Sequence, residues 1–286
     1  MFRCIRPLCG LFAVAAISIP SYGALVVHYT FDEASGPAIN QGTAGAAANG
    51  TFNGAATRSN NTPSGLGYSL DTNGGSASDY LTAGDVEAID AIGGKFTLVA
   101  WINLQADPSD GDGIITKGTH GNGFSWQIEK PSTGTISAQN FRLDIHVDYG
   151  GSLFSADITS GDIDKWLFVA VSYNYQWVPS PDPTVHVYHY LGDMTTPVAL
   201  IGSATHTTMD APNGNDGDLR VGSSTRAADA RSPDALIDDV RIYNEILTLE
   251  QLEAIRLSMV PEPTAIGLAG IGCTGLALRR RRAVVG

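Results

Sequence analysis

Hydrophobic and polar residues alternate along several stretches of the chain, and this alternation predicts β-strands. The segment NFRLDIHVD places its hydrophobic residues on one face and its polar residues on the other. The hydrophobic positions are Phe141, Leu143, Ile145 and Val147, and the polar positions are Arg142, Asp144, His146 and Asp148. A period of two residues is typical of a strand with one face buried. FSWQIEK repeats the pattern with Phe124, Trp126 and Ile128.

Two other stretches, KFTLVAWINL and KWLFVAVSYN, are apolar on both faces, which predicts strands inside a two-sheet core. Further strand candidates are ALVVHYTF, TVHVYHYL, PVALIGSA, DLRVGSS and ALIDDVRIYN. Clusters such as DTNGGSASD and NGNDGD separate the candidates and predict turns. Because no amphipathic helices lie between the strands, we expect an all-β fold, a two-sheet antiparallel sandwich of jelly-roll type.

One short helix is predicted at the end of this domain, in LTLEQLEAIRL. Thr248 is in position to cap its N-terminus, and Gln251, three residues later, completes a capping box. Leu247 and Leu252 have the spacing of a hydrophobic staple. The predicted domain therefore covers residues 24–258 and closes with a capped helix.

The first 23 residues have the layout of a secretory signal peptide. Arg3 and Arg6 precede a short apolar run, and the small residues Ser21 and Gly23 follow it at the positions expected before a cleavage site. The apolar run is too short to span a bilayer, so we expect residues 1–23 to be removed and the protein to be exported.

The C-terminal segment, residues 259–286, has three parts in a fixed order. A polar motif is followed by an apolar stretch, residues 264–278, and then by a basic tail. The motif is Pro261, Glu262 and Pro263, and the tail is Arg279, Arg280, Arg281 and Arg282. This order resembles the PEP-CTERM sorting signal. The resemblance implies an exosortase-type membrane protease as a partner, transient anchoring in the inner membrane by a transmembrane helix, and delivery to the cell envelope or extracellular matrix.

The charge balance argues against nucleic acid as a partner. The chain has 29 acidic and 17 basic residues, a net charge of −12. Six of those 17 cations lie in the two targeting segments, so the exported body is still more acidic and repels a phosphate backbone. Cys4, Cys9 and Cys273 also lie in the targeting segments, so we expect no disulfide in the exported domain.

The order of segments resembles the laminin-G-like, concanavalin A-like jelly rolls of exported bacterial proteins. The matching pieces are HYTFDEASG, GYSLDTNGGSASDYLTAG, FTLVAWINL, GIITKGTHGNGFSWQIE, DKWLFVAVSYN and ALIDDVRIYNEILTLEQLEAI. Trp101 and Trp166 fall where that family has its core tryptophans. The resemblance implies a lectin-type domain that binds glycans or other surface ligands, often with structural calcium. The stretch VYHYLGDMTTP departs from the family's usual Y-x-D-G hairpin.

The sequence lacks the common catalytic motifs. No Glu-x-Asp-x-x-Glu strand supplies the paired carboxylates of a jelly-roll glucanase, and there is no HExxH, GxSxG or Walker motif. This favours a non-catalytic, carbohydrate-binding protein. Two alternatives stay open: a structural matrix component without a specific ligand, and a glycosidase-related enzyme. The enzyme predicts a pair of carboxylates facing a groove.

Structural calcium is the cofactor that this acidic, exported chain suggests. Asp32 follows the first strand and Asp239 lies on the last, and these strands run side by side in such jelly rolls, so the two carboxylates are the candidate ligands. Alternatively, Asp32 caps the DEASG turn and Asp239 pairs with Arg241. Asn122 with Asp229 is a second candidate pair.

Aromatic residues in turn-rich loops are the candidate sugar contacts. Trp177 lies between prolines in YNYQWVPSPDP, and Tyr149 lies in DYGGSLF. The alternative for Trp177 is that it folds back as a lid over the core. The predicted partner is a glycan or exopolysaccharide.

Overall fold

The computed structural model describes residues 24–73, 78–119, 122–148, 151–176, 184–206, 212, 217–224 and 231–261. The predicted signal peptide and the sorting segment from Glu262 onward lie outside these ranges. Trp177, Tyr149 and Asp229 also lie outside them. No helix within the described ranges is both long and apolar enough to cross a membrane.

The described chain forms two antiparallel sheets and a few short helices. The strands are β1 (Leu25–Tyr29), β2 (Thr51–Asn53), β3 (Thr57–Ser59), β4 (Ser69–Asp71), β5 (Tyr80–Asp85), β6 (Lys95–Leu104), β7 (Asp112–Thr119), β8 (Asn122–Glu129), β9 (Arg142–Val147), β10 (Leu153–Phe154), β11 (Trp166–Gln176), β12 (Thr184–Asp193), β13 (Ala199–His206), β14 (Asp218–Val221) and β15 (Ala235–Tyr243). The helices are a 3-10 turn (Gly45–Ala48), α1 (Glu87–Asp90) and α2 (Leu249–Met259).

The larger sheet has eight strands in the order β13-β12-β11-β6-β15-β4-β3, with β1 paired to β15. The smaller has seven, in the order β10-β9-β8-β7-β14-β5-β2. The first and last strands therefore run side by side, as expected for such a jelly roll. The prediction of an all-β, two-sheet antiparallel sandwich with a short C-terminal helix is confirmed.

The main hydrophobic core lies between the sheets. Phe96 of β6 stacks on Phe124 of β8 with ring centroids 5.3 Å apart, which joins the two sheets directly. Phe96 also stacks on Tyr173 of β11 at 5.0 Å. Alternate residues of β8 and β9, including Trp126 and Ile145, point into this core and are fully buried.

A second, smaller core explains why β6 and β11 are apolar on both faces. Their outward-facing residues pack under α2, where Trp101 meets Phe168 edge to face at 5.5 Å. Leu252 and Ile255 of α2 close this cluster from above. The second apolar face is thus covered by the helix rather than by a sheet.

The start of α2 follows its predicted capping chemistry. The Thr248 hydroxyl accepts a hydrogen bond from the Gln251 backbone N–H at 3.3 Å, and the Gln251 side chain accepts one from the Thr248 N–H at 2.8 Å. Leu247 and Leu252 both lie in the small core, as the staple requires.

Candidate functional site

Three ionisable side chains come together on the outer face of the seven-stranded sheet. Glu129 ends β8, and Asp144 and His146 lie two residues apart on β9. One possible ligand atom from each residue lies within 4.8 Å of the other two. Within the described ranges, no other three acidic, histidine or cysteine side chains come this close together. We call this group the Glu-Asp-His cluster.

Hydrogen bonds from neighbouring groups hold both carboxylates of the cluster. The Gln127 side-chain amide donates to Glu129 Oε1 at 2.6 Å, and the Ser125 hydroxyl donates to Gln127 Oε1 at 3.1 Å. The backbone N–H of Leu153 donates to Asp144 Oδ1 at 2.6 Å. The orientation of each carboxylate is therefore fixed by the sheet and by β10.

Sequence reasoning missed this cluster. The alternation in β9 predicted a half-buried strand with a polar face toward solvent, but Asp144 is 0% exposed and His146 is 5% exposed. On β8, Glu129 is also only 5% exposed. One sequence feature did indicate the cluster: both alternating strands, β8 and β9, place only polar residues on this face. Pairing of the two strands then puts Gln127 opposite Asp144.

The cluster does not match the geometry of a hydrolase. Glu129 and Asp144 are close together but buried, whereas a glycosidase needs its carboxylate pair to reach a bound sugar. The Ser152 hydroxyl and Asp144 Oδ2 both contact Nε2 of His146, at 3.4 and 2.7 Å. A catalytic triad requires contacts to the two different ring nitrogens.

A second surface combines aromatic and polar side chains on the outer face of the eight-stranded sheet. On β12, the odd-numbered positions Val185, Val187 and His189 are buried, so the residues between them face outward. Those outward residues, with their cross-strand partners on β13, are His186, Tyr188, Tyr190, Thr205, Ser203 and Leu200. We call this surface the tyrosine strip.

The strip is half-buried on β12 and exposed on β13. The ring of Tyr190 packs against the small core under α2, and burial together with the neighbouring Tyr188 raises the pKa of its phenol despite a hydrogen bond to Ser172. Ser203 and Thr205 are exposed. Oδ1 of Asn174, paired with His186, is buried without a hydrogen bond from any described residue. The strip thus offers aromatic ring faces beside exposed hydroxyl groups.

The predicted calcium ligands, Asp32 and Asp239, have separate partners. The exposed carboxylate of Asp32 accepts a hydrogen bond from the backbone N–H of Tyr68 at 3.1 Å. Oδ1 of the buried Asp239 lies 2.8 Å from His28 Nε2 and 2.9 Å from Arg241. Burial raises the pKa of Asp239, but these two partners hold it below its ordinary value. The alternative pairing of Asp239 with Arg241 is therefore present.

The carboxyl group of Asp238 is close enough to both Asp32 and Asp239 for their charges to affect its pKa. Burial, with added repulsion from Asp239 and Asp32, raises the pKa of Asp238 to about 9, although the Asp239 N–H donates to its Oδ1 at 2.7 Å. Oδ2 of Asp239 is buried and receives no hydrogen bond from the described residues. The region therefore holds three carboxyl groups, of which Asp239 is paired with Arg241 and His28.

The predicted sugar contacts Trp177 and Tyr149 lie outside the described residues, but their flanks are placed. Trp177 follows β11, and Tyr149 precedes Gly151. Gly151 packs so closely to β13 that an added Cβ would lie 3.3 Å from His206 Nε2. Gln176 at the end of β11 pairs with Thr184, and His206 pairs with the next residue, Val185, so the end of β11 and Gly151 lie at the same end of the eight-stranded sheet.

The sorting motif falls almost entirely outside the described ranges. Pro261 is exposed directly after α2, at the end of the described chain. Glu262, Pro263 and the four arginines of the tail lie outside the described residues. Asn122, at the start of β8, is described, but its proposed partner Asp229 is not.

No family model and no curated protein sequence matches this chain. Solved structures do match its fold. Domain 4 of AbnA, a GH43 extracellular arabinanase from Geobacillus stearothermophilus, in complex with arabinotriose, has a TM-score of 0.54 and 14% identity, covering 82% of this chain and 100% of that one.

Binding domains of botulinum neurotoxins are also similar. A type C structure that concerns cell entry through two ganglioside molecules has a TM-score of 0.54 and 13% identity, covering 82% of this chain and 51% of that one. The binding domain of type DC in complex with SialylT has a TM-score of 0.51 and 13% identity, covering 82% and 52%. The chain thus spans about half the length of these toxin structures. At these identities the likeness shows a shared β-sandwich fold.

Proposed function

We propose that this protein is an exported, non-catalytic carbohydrate-binding domain that holds a glycan or exopolysaccharide on the tyrosine strip. The observation that carries the proposal is the register of β12 and β13, which places Tyr188 opposite the exposed Ser203. The exposed Thr205 lies opposite the neighbouring His186, and Tyr190 continues the row of outward-facing residues along β12. The flat face of a sugar ring packs on an aromatic side chain, while its hydroxyls bond to nearby polar groups.

The solved structures of similar fold support a carbohydrate ligand. One is described with arabinotriose, another with SialylT, and a third in connection with gangliosides. They are mainly binding domains, which fits the absence of catalytic motifs in this sequence. Trp177 and Tyr149 remain the further sugar contacts that the sequence predicts.

We also propose the route of delivery that the terminal segments suggest. Residues 1–23 direct export, and residues 259–286 act as a sorting signal that an exosortase-type membrane protease reads at Pro261, Glu262 and Pro263. The apolar residues 264–278 and the four arginines anchor the protein transiently in the inner membrane. The mature domain then resides in the cell envelope or the extracellular matrix.

A structural calcium ion near Asp32 and Asp239 forms part of the proposal. Support comes from Asp239 Oδ2, buried without a hydrogen bond from the described residues, and from the raised pKa of Asp238 beside it. Asp32, Asp238 and Asp239 supply the hard oxygen donors that calcium prefers. In this role the ion joins the loop after β1 to β15.

The binding proposal is tested with a glycan array that includes arabino-oligosaccharides and sialylated glycans, probed with the purified protein. We expect selective hits. The best hit is then titrated by calorimetry against Tyr188→Ala, which removes one ring of the strip and should weaken binding at least about tenfold, or roughly 1.4 kcal/mol.

Tyr68→Ala is the matched control, because Tyr68 is also half-buried but lies on a loop away from the strip. It should bind like the native chain. Selective hits that survive Tyr188→Ala would move the site elsewhere on the protein. A complete lack of selective hits would favour the structural matrix component instead.

A further inference from the structure

We propose that Glu129, Asp144 and His146 form a binding site for a first-row divalent transition-metal ion of the zinc or manganese class. The site is independent of the tyrosine strip and of the predicted calcium ligands. Its three donors come from adjacent strands, two of them from positions on β9 that are two residues apart, so the sheet itself sets their spacing.

The first observation is the geometry of the donor atoms. One donor from each residue lies within 4.8 Å of the other two. Metal–ligand bonds of about 2.0–2.2 Å put two neighbouring ligands of one ion about 3 Å apart in octahedral and about 3.5 Å apart in tetrahedral coordination. Asp144 Oδ2 and His146 Nε2 are 2.7 Å apart, so they need to separate by only a few tenths of an ångström to bind one octahedral ion, and somewhat more for a tetrahedral one.

The second observation concerns Asp144 itself. Its side chain is fully buried, and Oδ2 receives no hydrogen bond from any described residue even though His146 Nε2 is only 2.7 Å away. The two atoms are near each other without the alignment of a donor and an acceptor. This arrangement is expected when a lone pair of Asp144 Oδ2 and the lone pair of His146 Nε2 both point toward one bound ion.

A third observation is that one oxygen of each carboxylate accepts a hydrogen bond from a neighbouring group, which fixes the orientation of the carboxylate. The Gln127 amide fixes Glu129 Oε1, and the Leu153 N–H fixes Asp144 Oδ1. Metal ligands in proteins are typically oriented by such outer-shell hydrogen bonds. Gln127 is itself 0% exposed, so it is a rigid support for Glu129.

Charge and donor type select the class of ion. Two carboxylates at 5% and 0% exposure bring negative charge into a poorly solvated place, where a dication compensates it. The imidazole nitrogen favours zinc or a similar transition ion over calcium, which prefers oxygen donors, and the two carboxylates also suit manganese. The site therefore differs in chemistry from the all-oxygen region around Asp238 and Asp239.

The test is titration of the chelator-treated protein with ZnCl₂ and with CoCl₂, without any glycan. We expect one equivalent of zinc to bind by calorimetry, and bound cobalt to develop visible d–d absorption that saturates at one equivalent. Asp144→Asn keeps an acceptor for the Leu153 N–H but removes the charged donor. It should lower zinc affinity at least about 100-fold, because even outer-shell changes cost about 10–100-fold. His146→Gln should do the same.

Asp112→Asn is the matched control. Asp112 is a buried carboxylate of the same sheet, 4% exposed, and it too accepts a backbone N–H at 2.6 Å, from Ser109. This variant should bind zinc like the native chain. If Asp144→Asn does not fold, the cobalt spectrum of the native chain decides, since a bound imidazole shifts the d–d bands from those of aqueous cobalt.

No stoichiometric binding, or binding that Asp144→Asn and His146→Gln leave unchanged, would overturn the proposal. If Asp144 and His146 form only an ion pair with each other, no stoichiometric metal binding will be seen. Because the readout uses metal alone, failure here leaves the carbohydrate proposal intact, and failure on the glycan array leaves the metal site intact.

Discussion

His189 lies on β12 with its side chain fully buried, and its Nε2 donates a hydrogen bond to the carbonyl oxygen of Leu153, 2.7 Å away. Burial lowers the pKa of His189 to about 4, although the Leu153 carbonyl and the charge of Asp144 oppose the shift. In the sequence this residue is one of several scattered histidines. Only packing against β10 identifies it as a neutral, buried donor.

The buried histidine predicts a pH dependence of stability. Its folded pKa, about 4, lies below the ordinary value of 6.5, so its contribution is present above pH 6.5 and is lost as the pH falls toward 4. We expect the free energy of unfolding to fall over this window. His189→Gln keeps an N–H donor for Leu153 but does not titrate, so it should flatten the fall.

The measurement is urea unfolding at several pH values between 4.5 and 7, with the native chain and the variant compared point by point. The comparison cancels the contribution of carboxylates common to both. Parallel curves would show that His189 does not carry the acid sensitivity. His186→Gln, an outward-facing histidine on the same strand, should leave the slope unchanged.

At the scale of elements, α2 shows how a short helix acquires a structural role. Its capping box and staple are local features that the sequence predicted, and both are present. What the helix does depends on its partner: it covers Trp101 and Phe168 on the outer face of the eight-stranded sheet. Without α2 the second apolar face of β6 and β11 would be exposed to water.

Removing the cap should therefore destabilise this region. Thr248→Ala loses the hydroxyl that accepts the Gln251 N–H, and we expect a cost of about 0.5–2 kcal/mol in the free energy of unfolding. Chemical unfolding monitored by tryptophan fluorescence measures it, because Trp101 lies beneath the helix. Thr248→Ser retains the acceptor and should restore most of the loss; equal losses in both variants would argue against capping as the cause.

At the scale of the whole molecule, the pairing of β1 with β15 joins the two ends of the domain. The loop after β1 carries Asp32, and β15 carries Asp238 and Asp239, so distant parts of the sequence bring acidic residues into one region. The sandwich fold is also shared with proteins of 13–14% identity. At these identities the likeness shows the fold alone, and the chemistry of this chain's surfaces depends on its own outward-facing residues.

If calcium joins these ends, removing it should lower the melting temperature. We expect the native chain to melt several degrees higher in millimolar calcium than in EGTA, and Asp32→Asn to abolish most of that difference. Calorimetry or circular dichroism measures it. Identical melting temperatures with calcium and with chelator would exclude a structural calcium ion. Asp144→Asn, which lies in the other cluster, should leave the calcium effect unchanged.

Local patterns predicted nine of the fifteen described strands, the cap of α2 and the β-sandwich class, because side-chain alternation and turn residues act over a few positions. The other six strands, β2, β3, β4, β5, β7 and β10, were not among the candidates. Local patterns also supplied the aromatic and acidic candidates, though Trp177 and Tyr149 stay predictions. Only the tertiary structure decided which polar residues become buried neighbours. Glu129 and Asp144 are 15 positions apart in sequence, and their meeting depends on the register of β8 against β9. The same holds for the tyrosine strip, since a one-residue slip of β12 would turn Tyr188 and Tyr190 into the core.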